Sequence, residues 1–178
     1  MPTPMEKAPE PELAYVPVPK ERYTSPEFAR REWEHMWTKV WLLAGRASDI
    51  PHPGDYFTFE IGIESILVIR QQDGTIGARF NVCMHRGNRL REPGRGHAER
   101  FACLFHGWEY EIDGRLVKVL DPDCFPQGVD RARLSLRPVR CETWAGFVFV
   151  CLGPEVEPLG GFLAIVPGRL VPYRLEAW

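Results

Sequence analysis

Apolar and polar side chains alternate from Tyr56 to Ile61, with Phe57, Phe59 and Ile61 set against Tyr56, Thr58 and Glu60. A period of two marks a strand with one buried face. Ser65 to Arg70 is a shorter, mostly apolar strand, and Asp73-Gly74 turns the chain into a third, Ile76 to Val82. Two hairpins are predicted further on. One joins Trp108–Ile112 to Arg115–Val119 through a type I′ turn at Asp113-Gly114; the other joins Arg137–Trp144 to Phe147–Leu152 at Ala145-Gly146. Strands this short and this closely spaced predict an all-β-dominated fold, a small antiparallel sandwich or barrel.

Ahead of the strands the period lengthens. Ser25 is a good N-cap, Pro26 suits the first helical turn, and Glu27 suits the positive end of the helix dipole. Trp33, Trp37 and Trp41 recur every four residues, so a helical segment is expected over residues 21–45. Its aromatic face packs on the core or on a second subunit. Residues 1–20 hold six prolines and read as a flexible arm, either solvated or laid along a partner subunit. The strand region occupies 46–153. Pro154, Pro158, Gly160 and Gly161 then end the strand texture, and residues 154–178 read as the start of a further, truncated domain.

Composition narrows the setting without naming the chemistry. The 178 residues are 44% hydrophobic and 26% charged, as in an ordinary globular domain. A formal net charge of -2 argues against a nucleic-acid partner. The absence of any long apolar run argues against a membrane span, and the N-terminal residues lack the basic-then-apolar pattern expected of a signal peptide. Beside Cys83 and Cys103, the three cysteines Cys124, Cys141 and Cys151 form no obvious disulfide framework and read as ordinary thiols in a reducing cytoplasm.

The chemistry lies in two short pairs, Cys83-Met84-His85 and Cys103-Leu104-Phe105-His106, with seventeen residues between His85 and Cys103. Each offers one thiolate and one imidazole. Structural zinc favours Cys-x-x-Cys and His-x-x-x-His pairs, although zinc stays open as an alternative. Four ligands in this order suit two irons held unequally, both cysteines on one and both histidines on the other, which is a Rieske-type 2Fe-2S centre. Gly87 and Gly107 are expected to let the backbone approach the inorganic sulfides and offer N–H donors. Two neutral imidazoles in place of thiolates leave the oxidised cluster formally uncharged, which makes its reduction easier than in plant-type ferredoxins.

Asn81-x-Cys83-x-His85-Arg86-Gly87, followed by Cys103-x-x-His106-Gly107-Trp108-x-Tyr110-x-x-Asp113-Gly114-Arg115, resembles the Rieske region of ring-hydroxylating oxygenase large (alpha) subunits. The likeness runs from about Tyr23 through Phe149-Val150, and Pro172-Tyr173-Arg174-Leu175 looks like the entry to that family's catalytic domain. It implies a Rieske-type antiparallel β-sandwich with a cluster-binding subdomain, preceded by an N-terminal helix. Cys83, His85, Cys103 and His106 would hold the 2Fe-2S cluster, with Arg86, Gly87, Gly107, Trp108 and Tyr110 around it. It also implies a ferredoxin or flavin reductase as electron donor. Electrons would pass to a mononuclear Fe(II) in a C-terminal domain, commonly that of a neighbouring subunit in a homotrimer or alpha/beta oligomer. There O2 is activated and an aromatic or related substrate gains one or two oxygens.

High-potential respiratory Rieske proteins resemble Cys-Thr-His-Leu-Gly-Cys and Cys-Pro-Cys-His-Gly-Ser, whose extra cysteines bridge the two loops. Asn88 and Phe105 stand at those positions here, and Trp108 replaces the serine, which points to the low-potential end. Tyr110 keeps the place of a tyrosine able to bond a ligand sulfur. No histidine follows His106, so two histidines and a carboxylate for a second iron are absent. His35, His52 and His97 are read as surface or packing residues. Taken as written, the chain carries an electron and holds no catalytic residue, being part of a larger subunit or, alternatively, a free-standing Rieske ferredoxin-type carrier. Arg86, Arg89, Arg91, Arg95 and Arg100 make the inter-ligand loop basic, for docking an acidic partner or as a solvated face.

Overall fold

The computed structural model describes residues 17–120 and 122–177, so the Pro-rich arm lies, up to residue 16, outside the described residues. Helix α1 spans Glu21–Thr24 and α2 Pro26–His35. The strands that follow are β1 (Leu42–Arg46), β2 (Asp55–Ile61), β3 (Glu64–Arg70), β4 (Ile76–Phe80) and β5 (Arg95–His97). Then come β6 (Arg100–Ala102), β7 (Glu109–Glu111), β8 (Leu116–Lys118), β9 (Pro138–Trp144) and β10 (Phe147–Cys151). Seven strands form one antiparallel sheet in the order β1-β10-β9-β4-β3-β2-β5, and β6-β7-β8 form a second. This is the mostly antiparallel β architecture with a leading helix that the sequence predicts.

Strand β3 explains why its sequence is apolar on both sides. Ile66 and Val68 face a core with Ile50, Phe57, Val148 and Val150. Leu67 and Ile69 face the other way, into a core with Phe101, Trp108, Tyr110 and Leu116 from the smaller sheet. The smaller sheet and the two cysteine–histidine loops therefore sit on a buried floor. Three further bonds fasten the β7–β8 turn to that floor: Gln71 Nε2 donates to Ile112 O (3.2 Å), Arg79 Nε to Asp113 O (2.9 Å), and Leu136 N to Gly114 O (2.8 Å).

The start of α2 follows the sequence rules, with Ser25 Oγ accepting the Phe28 N–H at 3.2 Å and Pro26 in the first turn. Its end does not. The helix expected through residue 45 stops at His35, and Met36 leaves helical geometry at φ -126, ψ -67. Trp33, Trp37 and Trp41 consequently share no helical face. Trp33 lies over Gly62, Trp37 opens a 3-10 turn, and Trp41 is buried beside Cys151 and Leu159 with its Nε1 donating to Glu157 O at 2.8 Å. Sheet pairing wins: Leu42 and Leu43 register with Val150 and Phe149 of β10, and this outweighs helix propagation through β-branched Thr38 and Val40.

The type I′ geometry falls on the other hairpin. Asp113-Gly114 is not type I′, because Gly114 has φ 90 while Asp113 is not among the residues with positive φ. Gly114 N–H instead closes on Glu111 O at 2.8 Å, with Glu111 N–H on Arg115 O, giving a three-residue loop. The paired positive φ values occur at Ala145 (50) and Gly146 (79), between paired Trp144 and Phe147. Beyond β10 come helices α3 (Leu159–Leu163) and α4 (Val166–Leu170), and the tail returns to the sheet at Leu159 and Leu175. Leu159 is buried, its N–H donates to Glu142, and Arg46 donates to Leu175 O. No helix among the described residues is long and apolar enough to cross a membrane.

The three cysteines outside the ligand pairs differ sharply. Cys124 is exposed and Cys151 buried, while burial pushes the Cys141 thiol up to about 12. At pH 8 a thiol of that kind is thiolate only about one part in ten thousand, and it is shielded as well, whereas Cys124 is open to reagent. Iodoacetamide at pH 8 is therefore expected to alkylate Cys124 early and leave Cys141 untouched, as peptide mass spectrometry would show; comparable labelling of the two would contradict this.

Candidate metal centre

The first cysteine–histidine loop hangs on Asn81, which is only 3% exposed. Its Oδ1 accepts the Leu90 and Arg91 N–H groups (3.2 and 3.0 Å), and its Nδ2 donates to Ser65 Oγ (2.9 Å) and Arg91 O (2.7 Å). All four bonding positions of a buried amide are used, so the chain on both sides of residues 82–89 is clamped. Arg91 then bridges to the second loop's strand, donating to Ala102 O and Arg100 O with its guanidinium over the Phe101 ring.

The two loops repeat one turn. Gly87 N–H returns to Cys83 O, and Gly107 N–H to Cys103 O, both at 2.9 Å. Gly87 and Gly107 have φ 74 and 67, which glycine adopts without strain. The next residue closes each turn: Asn88 O accepts the Cys83 N–H (2.7 Å) and Trp108 O the Cys103 N–H (2.8 Å). The glycine N–H groups, expected at the sulfides, are thus spent on closing the turns. Gly107 is needed for a second reason, since a Cβ there would collide with Leu120 Cδ1.

On the sulfur side, Cys83 and Cys103 are each 2% exposed free thiols, near enough for each to perturb the other. Tyr110 Oη lies 3.3 Å from Cys83 Sγ and accepts the Met84 N–H at 3.0 Å, leaving its hydroxyl proton for the sulfur. Asn88 Nδ2 approaches Cys103 Sγ at 3.8 Å. Burial raises the Cys83 thiol. Burial is the largest influence on Cys103 too, but the Phe105 and His106 N–H groups, with Cys83 and Asn88, together outweigh it and hold that thiol below the ordinary range. Donors of this kind stabilise a thiolate, the form that binds metal.

On the imidazole side, the His85 and His106 ring centroids are 4.7 Å apart. Trp108 stacks on His85 at 4.7 Å and 9°, and Phe125 meets both rings edge-on, His85 at 6.2 Å and Trp108 at 6.0 Å. Burial first, then the nearby His106 and Arg86 charges, lower the His85 pKa and keep its ring neutral, as a metal ligand must be. A cleft of about 380 Å³ opens over the two histidines, walled by Arg86, Leu120, Cys124 and Phe125.

Of the residues singled out from sequence, Cys83, Cys103 and Tyr110 meet on one side and His85, His106 and Trp108 on the other. Arg86 is exposed at the cleft. His97 pairs with Asp55 (2.9 Å), and His35 and His52 are exposed, all away from the centre. Sequence reasoning missed Asn88 as a sulfur donor and Phe125 as a shield. The spacing of Asn88 from Cys83, equal to that of Trp108 from Cys103, is the signal that was available for the first.

The donor set fits a two-iron cluster. Among the described residues no three His, Cys, Asp or Glu side chains gather on one point; the four come as a sulfur pair and an imidazole pair. His85 Nδ1 is buried with no hydrogen-bond partner, an expensive state for a ring nitrogen unless it has a ligand to hold. The Rieske [2Fe-2S] domain family model matches residues 40–131. The glycine betaine monooxygenase oxygenase subunit of Chromohalobacter salexigens is 34% identical over 159 residues, covering 89% of this chain and 35% of that protein. The large oxygenase component of the naphthalene 1,2-dioxygenase system of Pseudomonas putida is 36% identical over 148 residues, covering 82% and 33%. A crystal structure of an apo quaternary ammonium Rieske monooxygenase superposes with TM-score 0.83 at 30% identity, covering 89% of this chain and 47% of that one. The chain spans about a third of the length of the curated relatives it matches.

Proposed function

The chain belongs to the Rieske [2Fe-2S] domain family and matches the N-terminal, Rieske portion of ring-hydroxylating oxygenase alpha subunits, and from that premise we propose that it relays electrons within such an oxygenase. Cys83 and Cys103 would hold one iron and His85 and His106 the other, and the cluster, when bound, supplies a one-electron carrier. The observation that supports this most is the sorting of the four side chains: two sulfurs buried under Tyr110 and Asn88, two imidazoles at a cleft.

The chain's own residues divide the work. Tyr110 and the Phe105 and His106 N–H groups hold negative charge on the sulfurs. Trp108 and Phe125 fix the His85 ring and keep water from one of its faces. The imidazole end is the open one, with Leu104 and Phe105 exposed beside His106, so electrons enter and leave there. Among the inter-ligand arginines, Arg89, Arg95 and Arg100 pair with Glu60, Asp49 and Glu109/Glu111. Arg86 forms no ion pair among the described residues and is the one that would meet an acidic ferredoxin or flavin reductase. The acceptor would be a mononuclear iron in the remainder of a larger protein, across a subunit boundary of a homotrimer or alpha/beta oligomer. Relatives named for glycine betaine and for naphthalene share this portion, so the choice of substrate is assigned elsewhere in such a protein.

The test is redox and spectroscopic. Dithionite-reduced protein is expected to show the low average g of mixed sulfur and nitrogen coordination. His106→Cys is expected either to lose the cluster or to lower its midpoint, because a thiolate adds negative charge where a neutral ring stood. A cluster retained at an unchanged midpoint would remove His106 from the ligand set.

A further inference from the structure

Asn88 touches both cysteines. Its carbonyl accepts the Cys83 N–H at 2.7 Å, and its side-chain Nδ2 reaches across to the other loop, 3.8 Å from Cys103 Sγ. The same Nδ2 donates to Arg89 O at 2.8 Å. That contact fixes which way the amide faces, since the reversed amide would set oxygen against oxygen. One N–H is thereby held for the carbonyl and the other is left for the sulfur. Asn88 is half-buried and rigidly seated, because its backbone is part of the turn that closes on Cys83.

We propose that Asn88 tunes the reduction potential of the centre: with the cluster bound, its amide N–H donates to the Cys103 sulfur and stabilises the reduced state. This rests on reading Cys103 as an iron ligand. Reduction adds one electron, breaks no bond, and moves no proton at Asn88. The added negative charge spreads onto the sulfurs, and an N–H dipole aimed at one of them favours it. Tyr110 serves Cys83 in the same manner, so each sulfur has one side-chain donor, and Asn88 is the donor that crosses between the loops. If Asn88 only closed its turn, its side chain could be exchanged without moving the potential.

The experiment is a dye-mediated dithionite titration of the full chain carrying its reconstituted cluster, compared with Asn88→Leu and Asn88→Gln. Asn88→Leu keeps the bulk and the backbone bond but loses the donor. The equilibrium constant for one-electron reduction is expected to fall about tenfold, about 59 mV for a one-electron couple. Asn88→Gln, which restores an amide, is expected to recover part of the loss. An unchanged midpoint in Asn88→Leu, with iron and sulfide retained, overturns the proposal and leaves the ligand assignment standing. Should Asn88→Leu fail to assemble a cluster, pulsed electron-spin spectroscopy of the unsubstituted, reduced protein decides instead. The chain has only two asparagines, and the amide of Asn81 is committed to Ser65 and Arg91. With asparagine side chains labelled in 15N, a nitrogen coupling to the cluster is expected, and its absence overturns the proposal. Failure of the unsubstituted chain to hold iron and sulfide would count against the proposed function itself, and with it the role of Cys103.

Discussion

Replacing Cys83 with alanine is expected to give protein with neither bound iron nor acid-labile sulfide, colourless above the aromatic absorption band. The sulfur sits 2% exposed beside Cys103, with Tyr110 Oη at 3.3 Å. Alanine leaves one iron with a single protein thiolate in a pocket without a substitute donor. The spare cysteines are no help: Cys141 and Cys151 pack in other clusters, and Cys124 lies on the histidine side. The fold should survive, since the substitution removes one small side chain at about 1–2 kcal/mol, and circular dichroism should register little change. Colorimetric iron and sulfide assays decide the matter. Retention of most of the iron would mean that Cys83 is not a ligand.

The second large effect is structural and falls on Asn81→Ala. Four hydrogen bonds disappear at a residue 3% exposed, leaving the Leu90 and Arg91 N–H groups and the Arg91 carbonyl without partners in a half-closed loop. Each stranded group costs about 1–3 kcal/mol, and water reaching the loaded side recovers some of it, for a net loss of about 3 kcal/mol. In a domain of this size that lowers Tm by about 6–12 °C. The cluster should also become easier to strip with a chelator, because the loop that carries Cys83 and His85 loses its anchor. Denaturant melts and chelator-release rates check both parts; a loss below about 1 kcal/mol would show that the Asn81 bonds do not hold the loop.

The central strands were legible because alternation and the double-sided apolar run of β3 are written in the side chains themselves. Strands β1, β5 and β6 were not. Arg95-Gly96-His97 and Arg100-Phe101-Ala102 carry no period, and become strands only because β2 and β7 offer edges to them. The helix was overextended for the converse reason: three tryptophans at helical spacing outvoted the β-prone Val40 to Leu43, and pairing with β10 reversed that vote. Type I′ was read at Asp113-Gly114 because Asp-Gly is the commoner I′ pair, whereas it is Ala145-Gly146 that takes that geometry, forced by the direct pairing of Trp144 with Phe147. At the site, residue type and spacing pointed to the four candidate ligands, and the family resemblance to Trp108 and Tyr110. Phe125 depends on how the loops and the Pro122–Cys124 turn come together, which no local pattern records; for Asn88 only its place five residues after Cys83, matching Trp108 after Cys103, was on view.

The repeated turn at Cys83 and Cys103 carries a consequence for assembly. In each copy the residue five beyond the cysteine lends its carbonyl to its own loop and its side chain to the opposite one, Asn88 to Cys103 and Trp108 to His85. An excised peptide bearing either loop would possess one thiol and one ring but lack the neighbour that prepares them. Metal uptake by such halves should therefore be negligible, and in the intact chain the two knuckles mature together or not at all.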